Sequence, residues 1–327
     1  MVDRLLYNTV LSQTFSPCGN FLLAGNTYGD IAVYDLQKIL SPGEAFTPPL
    51  RKAEYHFTVN KDVQICSMVT TEKFLVTGTV GEIQGWDWKT ITSSKNPKLC
   101  WSIQIPSSKD TLEKTDVNSM FYHEQQDVLY AGCGDNKIYV FSLDGGRFIR
   151  KFEGHEDYIH CISHWGNQLA SASEDGSVKL WDLNHKICSH TIQPHMNSKV
   201  ARPDYGKWVG AVALNDDWML CGGGPKLSLW HLRSLDVTTS FPLEDTGVHI
   251  ALFYDDRIMT GGSCPYFYHL SYTGDVLAQI PSSSTSVYSA VYQESPLKVL
   301  CIAGSSSKID LCTNFSYRDQ ILSFARV

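Results

Sequence analysis

Residues 154–183 read GHEDYIHCISHWGNQLASASEDGSVKLWDL. Three short apolar runs lie between turn residues, with Gly-His near the start and Trp-Asp near the end. The same grammar recurs over 15–36, 65–88, 117–143, 208–232, 248–270 and 287–312. Each copy has an apolar strand, a polar turn, a second strand ending in small residues, a tight turn with Gly, Asp or Asn, and a third strand with an aromatic or apolar close. The mean period is about 47 residues, stretched by long connections beyond the roughly 40–45 of a four-strand propeller unit. A fourth strand is expected after each copy, near 54–59, 99–105, 147–152, 186–192, 236–241, 275–280 and 319–325. Four antiparallel strands form one twisted sheet that cannot bury both faces alone. Packing such sheets around an axis buries them. The reading is all-β: a seven-bladed β-propeller with four antiparallel strands per blade, occupying 1–327 as one domain after a short N-terminal extension of about nine residues (1–9). The C-terminal strand QILSFAR is expected to complete blade seven, with 5–14 as the alternative.

Bulk properties agree. The 327 residues are 43% hydrophobic and 19% charged, as in an ordinary folded chain. Net charge is −7, which speaks against autonomous binding to a nucleic-acid backbone. No apolar run reaches the roughly 18 residues of a membrane-spanning helix, and the N-terminus lacks the pattern of a secretion signal. The ten cysteines are scattered, with no C-x-x-C spacing, and are read as free thiols.

Few residues suggest chemistry. His155, His160 and His164 cluster in sequence, but no carboxylate or thiol completes a ligand set at a typical spacing. The run CGGGP (221–225) is followed by a strand, KLSLW, where a phosphate loop needs a helix. It reads as a turn in blade five requiring positive φ. No G-x-S-x-G elbow occurs. Asp216-Asp217 and Asp255-Asp256 fall at turns and read as solvated acids. The expectation is a chain that is not an enzyme and has no cofactor and no metal.

The opening stretch resembles the WD40 repeat family. In that family a His, a hydroxyl residue, an Asp and a Trp form a hydrogen-bonded chain within one blade, and the matching positions are His155, Ser171, Asp175 and Trp181. A buried indole N–H needs an acceptor, and a hydroxyl can relay from indole to imidazole. Only this blade carries the whole set. Blade two keeps Trp86 and blade five Trp230.

Two stretches go further: SPCGNFLLAGNTYGDIAVYDL (16–36) and ARPDYGKWVG with NDDWMLCGGGPKLSLWHLRS (201–234). They are similar to the WD40-subunit family of the THO complex, part of the nuclear transcription–export (TREX) machinery. The resemblance implies a non-catalytic nuclear scaffold in mRNA packaging and export. Its partners would be THO subunits, in particular the coiled-coil subunits 5 and 7, with RNA reached only through the complex. No basic import run is visible, so the chain is expected to enter the nucleus with partners. Arg202, Tyr205, Lys207, Trp208 and Arg233 are the candidate partner contacts, since Arg, Tyr and Trp dominate interface energetics. Replacing Arg202 and Tyr205 is then expected to weaken binding while sparing stability. A ubiquitin-ligase substrate receptor is the rival reading, but WDWK, WDLN and WHLR lack its Trp-Asp-x-Arg motif. Direct single-strand RNA binding through aromatics and Arg is a second rival.

Overall fold

The computed structural model describes residues 7–41, 51–106, 114–185 and 187–325. Its strands group into seven sheets, each built on an antiparallel meander of four strands, and one sheet carries a fifth. The fold class is therefore an all-β, seven-bladed β-propeller. The chain divides into two compact units. One holds the described residues up to Pro106 together with those from Ile280 onward, and the other holds residues 114 to 279.

In the first unit, blade one comprises Val10–Phe15, Phe21–Asn26, Asp30–Asp35 and Tyr55–Thr58. Blade two comprises Ser67–Thr70, Phe74–Gly78, Glu82–Asp87 and Leu99–Gln104. Blade seven comprises Val287–Gln293, Val299–Gly304, Lys308–Cys312 and Gln320–Ser323. Apolar clusters fill the space between its successive blades. Leu22 and Tyr34 of blade one pack with Leu311 and Leu322 of blade seven, and Leu23 and Val33 with Leu75 and Trp86 of blade two.

In the second unit, blade three runs Val117–His123, Val128–Cys133, Lys137–Ser142 and Arg147–Glu153. Blade four runs Ile159–Trp165, Gln168–Ser173, Val178–Asp182 and Ile187–Ile192. Blade five runs Val209–Leu214, Trp218–Gly223, Ser228–His231 and Asp236–Ser240. Blade six runs Val248–Tyr254, Arg257–Gly262, Tyr266–Ser271 and Val276–Pro281, the last two residues of which count with the first unit. Here too the cores lie between successive blades.

The registers explain why such different sequences make one repeat. In every blade a fully buried Leu or Met of the second strand faces the closing side chain of the third. The pairs are Leu22–Tyr34, Leu75–Trp86, Leu129–Phe141, Leu169–Trp181, Met219–Trp230, Met259–His269 and Leu300–Cys312. The first two strands of six blades also share a bulge at the same place, such as Val117/Ser119 and Ile159/Cys161. A bulge adds twist without breaking the sheet.

The C-terminal strand completes blade seven as expected, Gln320–Ser323 pairing antiparallel with Lys308–Cys312, whereas residues 10–15, most of the alternative closing segment, form the inner strand of blade one. The sequence VLSQTF was hard to read as a buried strand because its polar residues are used inside. Ser12 donates to Ile65 O at 2.9 Å, Gln13 donates to Ser289 O at 3.2 Å, and Thr14 meets Thr70 at 2.9 Å. Asn8 is buried and accepts from Asn26, so part of the expected extension belongs to the fold; residues 1–6 lie outside the described residues. The connection after blade one is also structured where it is described. Asp35 caps a short helix, Leu36–Leu40, and Arg51–Lys52 adds to Leu322–Ser323 as a parallel fifth strand.

Candidate functional site

The blade-four chain is assembled. Trp181 Nε1 donates to Ser171 Oγ at 2.8 Å, and Ser171 Oγ lies 2.7 Å from His155 Nε2. His155 Nδ1 lies 2.8 Å from Asp175 Oδ2. An indole only donates and a carboxylate only accepts. The hydroxyl therefore donates to Nε2, and the imidazole carries its proton on Nδ1. Burial pushes the Asp175 carboxyl up, but hydrogen bonds from His155, Ser177 and the Glu156 amide outweigh it and hold the group well below the usual carboxylate range. Gly176, at φ +88°, closes the turn beside this carboxylate. Any other residue would be strained there.

Asp175 ties stability to pH. A carboxyl held below its ordinary value of 3.8 contributes stability that is complete above that value and is lost as pH falls through it towards the folded value. Asp175→Asn should lower the denaturant midpoint at pH 7. Its deficit relative to wild type should stay flat down to about pH 5 and shrink below pH 4. Denaturant titrations at several pH values check this. A deficit that does not vary with pH would remove the carboxylate from the account.

The other blades keep pieces of this chain that the sequence reading missed. Trp86 Nε1 donates to Thr77 Oγ1 at 3.3 Å, and Trp230 Nε1 to Ser228 Oγ at 2.8 Å. The signal was present in the spacing: Thr77 stands two residues after Leu75, as Ser171 does after Leu169. In blade six His269 takes the Trp position and Gly261 the hydroxyl position. His269 is buried, and burial followed by nearby Arg257 holds its imidazole down to about 4.

Arg202 faces inward, and this corrects its assignment as a partner contact. It is 8% exposed. Nε donates to Gly224 O at 2.7 Å. Nη1 donates to Leu243 O at 3.0 Å and Glu244 O at 2.7 Å. Nη2 reaches Gly223 O at 3.0 Å, Pro225 O at 3.3 Å and Thr246 O at 2.9 Å. The guanidinium thus clamps the second-to-third-strand turn of blade five to the loop leading into blade six. It stacks on Tyr205 with 4.4 Å from Cζ to the ring centre. Pro203 starts the short turn Pro203–Tyr205 that returns this ring to Arg202.

The CGGGP run is explained by the same clamp. Among the described glycines, Gly222, Gly223 and Gly224 do not have positive φ, contrary to expectation. They are glycines because of close approach. A Cβ on Gly223 would lie 2.3 Å from Trp208 O, and one on Gly224 2.3 Å from Gly206 O. A bare backbone lets this turn sit against the entry loop 206–208, with the Gly223 and Gly224 carbonyls on the guanidinium.

Trp208 is half-buried. Its ring lies over Gly210 and Gly247, stacks on His249 at 5.4 Å, and donates from Nε1 to Tyr205 O at 3.0 Å. Burial, with His160 nearby, holds the His249 imidazole down to about 4. Tyr205 is 38% exposed, and Lys207 and Arg233 are exposed. The five candidates do not share one surface. In an antiparallel meander the leading loop and the second turn fall at one end, and the first and third turns at the other. Tyr205 and Lys207 occupy the leading loop of blade five. Arg233, in its third turn, lies at the opposite end.

The three histidines of the opening stretch separate as well. His160 pairs with Glu174 at 2.9 Å, and His164 stacks on Phe121 at 4.3 Å, while His155 belongs to the relay. Among the described residues no three His, Cys, Asp or Glu side chains converge as a metal site.

Repeated blades and a Trp–Ser–His–Asp relay define a WD40-repeat propeller. The family model for the WD domain, G-beta repeat, matches residues 146–182. Whole-chain relatives agree among themselves. The chain is 40% identical to THO complex subunit 6 of Drosophila melanogaster, over 96% of this chain and 88% of that one. It is 40% identical to the THO complex subunit 6 homolog of Danio rerio, over 98% and 99%. For THO complex subunit 6 of Homo sapiens the identity is 36%, over 98% and 94%. The chain belongs to the THO complex subunit 6 family.

Proposed function

We infer that this chain is a non-catalytic scaffold subunit of a THO complex within the nuclear TREX machinery, supporting mRNA packaging during transcription and mRNA export. The observation that carries the reading is 36–40% identity, over nearly the whole chain, to proteins named THO complex subunit 6. The fold supports it physically. Loops held on rigid blades present partners with fixed geometry. The coiled-coil subunits 5 and 7 are the partners we assign, and RNA is reached through the complex, as the net charge of −7 favours.

Co-expression with THO subunits 5 and 7, followed by affinity capture and gel filtration, tests the reading. Co-elution is expected, and elution of the chain by itself would overturn it. Tyr205→Ala combined with Lys207→Ala should weaken capture about tenfold, the loss of one interface anchor, with the fold retained and only a small drop in melting temperature from the lost ring contact with Arg202. Undiminished capture would remove this loop from the interface. Arg202 is left intact in this test because its role is internal.

A further inference from the structure

The first turns of blades three to six, 124–127, 166–167, 215–217 and 255–256, hold six carboxylates and no Lys or Arg. They are Glu124 and Asp127 in blade three, Asp216 and Asp217 in blade five, and Asp255 and Asp256 in blade six. The third turns lie at the same end and add Asp144 and Asp275 against Lys186 and Arg233, with His185 tied to Asp182. Strand ends here contribute Asp182 and Asp236 against Arg147 and Arg257, which leaves the excess unchanged. The turns thus carry six plus two carboxylates against two cations, far from the 34 to 27 of the whole chain. Taken singly, Asp216-Asp217 and Asp255-Asp256 are solvated turn acids. They occupy equivalent turns of neighbouring blades, and all four are exposed.

Contacts between blades join these turns into one strip. Asn215 of blade five donates from Nδ2 to Tyr272 OH of blade six at 3.2 Å. The Tyr272 ring meets Trp218 at 6.4 Å and Phe253 at 5.9 Å between ring centres. On the other side, Trp165 of blade four donates from Nε1 to Asp216 at 2.6 Å. This indole is 48% exposed, a large ring held on an open turn by a carboxylate of the next blade. Asp256 pairs with Arg257 at 3.4 Å, but among the described residues Asp216, Asp217 and Asp255 form no salt bridge. Like charges gathered in this way repel, and an arriving cation relieves that repulsion. An exposed indole face attracts the same cation.

We propose that the first-turn end of blades four to six is a docking surface for an arginine-bearing segment of a partner protein. Its guanidinium groups pair with Asp216-Asp217 and Asp255-Asp256, in the two-point geometry that suits carboxylates, and one lies over the Trp165 ring. Nucleic acid carries the wrong charge for this surface. The strip lies at the end of the blades away from Tyr205 and Lys207, so both ends can be occupied together. It does not depend on which complex contains the chain.

Fluorescence anisotropy tests it, with the full chain and a labelled peptide whose arginines are spaced by Gly and Ser. The wild type should bind at about 150 mM salt and release the peptide as salt rises. Asp217→Asn with Asp255→Asn should weaken binding about tenfold, since each lost carboxylate removes one ion pair. Trp165→Leu, which keeps an apolar side chain, should weaken it about threefold. Glu156→Gln with Asp204→Asn removes the same charge from exposed residues of the leading loops and should leave the affinity within about twofold. No binding by the wild type, equal loss in the two double variants, or undiminished binding by both strip variants would overturn the proposal. So would displacement of the peptide by about 1 mM calcium chloride, since the acid pairs would then serve a divalent cation.

Discussion

Replacing Arg202 with alanine should destabilise the protein by about 4 kcal/mol, a large loss for a single substitution. The guanidinium donates to six main-chain carbonyls from two separate segments. Hydrogen bonds to a charged group contribute about 1.5–3 kcal/mol each when counted singly, and buried acceptors left without donors cost about 1–3 kcal/mol each. Water entering the vacated space and loop relaxation recover part of that sum. Lysine should rescue little, because one ammonium cannot reproduce a planar fork with five N–H groups. The measurement is the urea midpoint of the wild type, Arg202→Ala and Arg202→Lys at one pH. A deficit under about 1 kcal/mol for alanine would mean that the two segments are held together by other contacts. The contrast with Tyr205→Ala and Lys207→Ala is part of the prediction: Lys207 is exposed and Tyr205 gives the clamp one ring contact, so their loss should cost far less.

Trp181→Ala should cost about 3–5 kcal/mol, the range for emptying the space of a large buried ring. The indole is 3% exposed and packs against Phe152 at 5.3 Å between ring centres. Its loss also leaves Ser171 without a donor. Trp181→Phe comes close to separating these effects, because it keeps an aromatic ring and most of the volume while removing the N–H. It should cost about 1–2 kcal/mol, with the Ser171 hydroxyl left one partner short. Thermal and urea unfolding of both variants give the two values. If phenylalanine cost as much as alanine, the relay would outweigh the packing.

The two sites differ in how far they could be read from the chain alone. Blade four announces itself because Trp181, Ser171, Asp175 and His155 all lie within 27 residues of one repeat, so local spacing places them together. The outer strands of blades three to six were legible for a related reason: each follows its third strand by a short turn and pairs with it. Blade one was harder. Its inner strand buries Ser12 and Gln13, and their partners Ile65 and Ser289 lie in other blades. A polar residue satisfied by a distant carbonyl looks like a surface residue until that carbonyl is in place.

Arg202 and the glycines after Cys221 make the same point more sharply. The motif combination marks the family, and composition suggested an exposed binding loop. Sequence by itself determined the seven repeats, the all-β class and the Trp–Ser–His–Asp relay, because period-two patterning, tight turns and contacts within one blade are local. The tertiary structure alone decided that Arg202 points inward, that Arg233 lies at the opposite end of its blade, and that Gly223 and Gly224 serve close approach. The inward turn of Arg202 depends on carbonyls 21 to 44 residues away in sequence, and a buried cation is stable only where such acceptors converge.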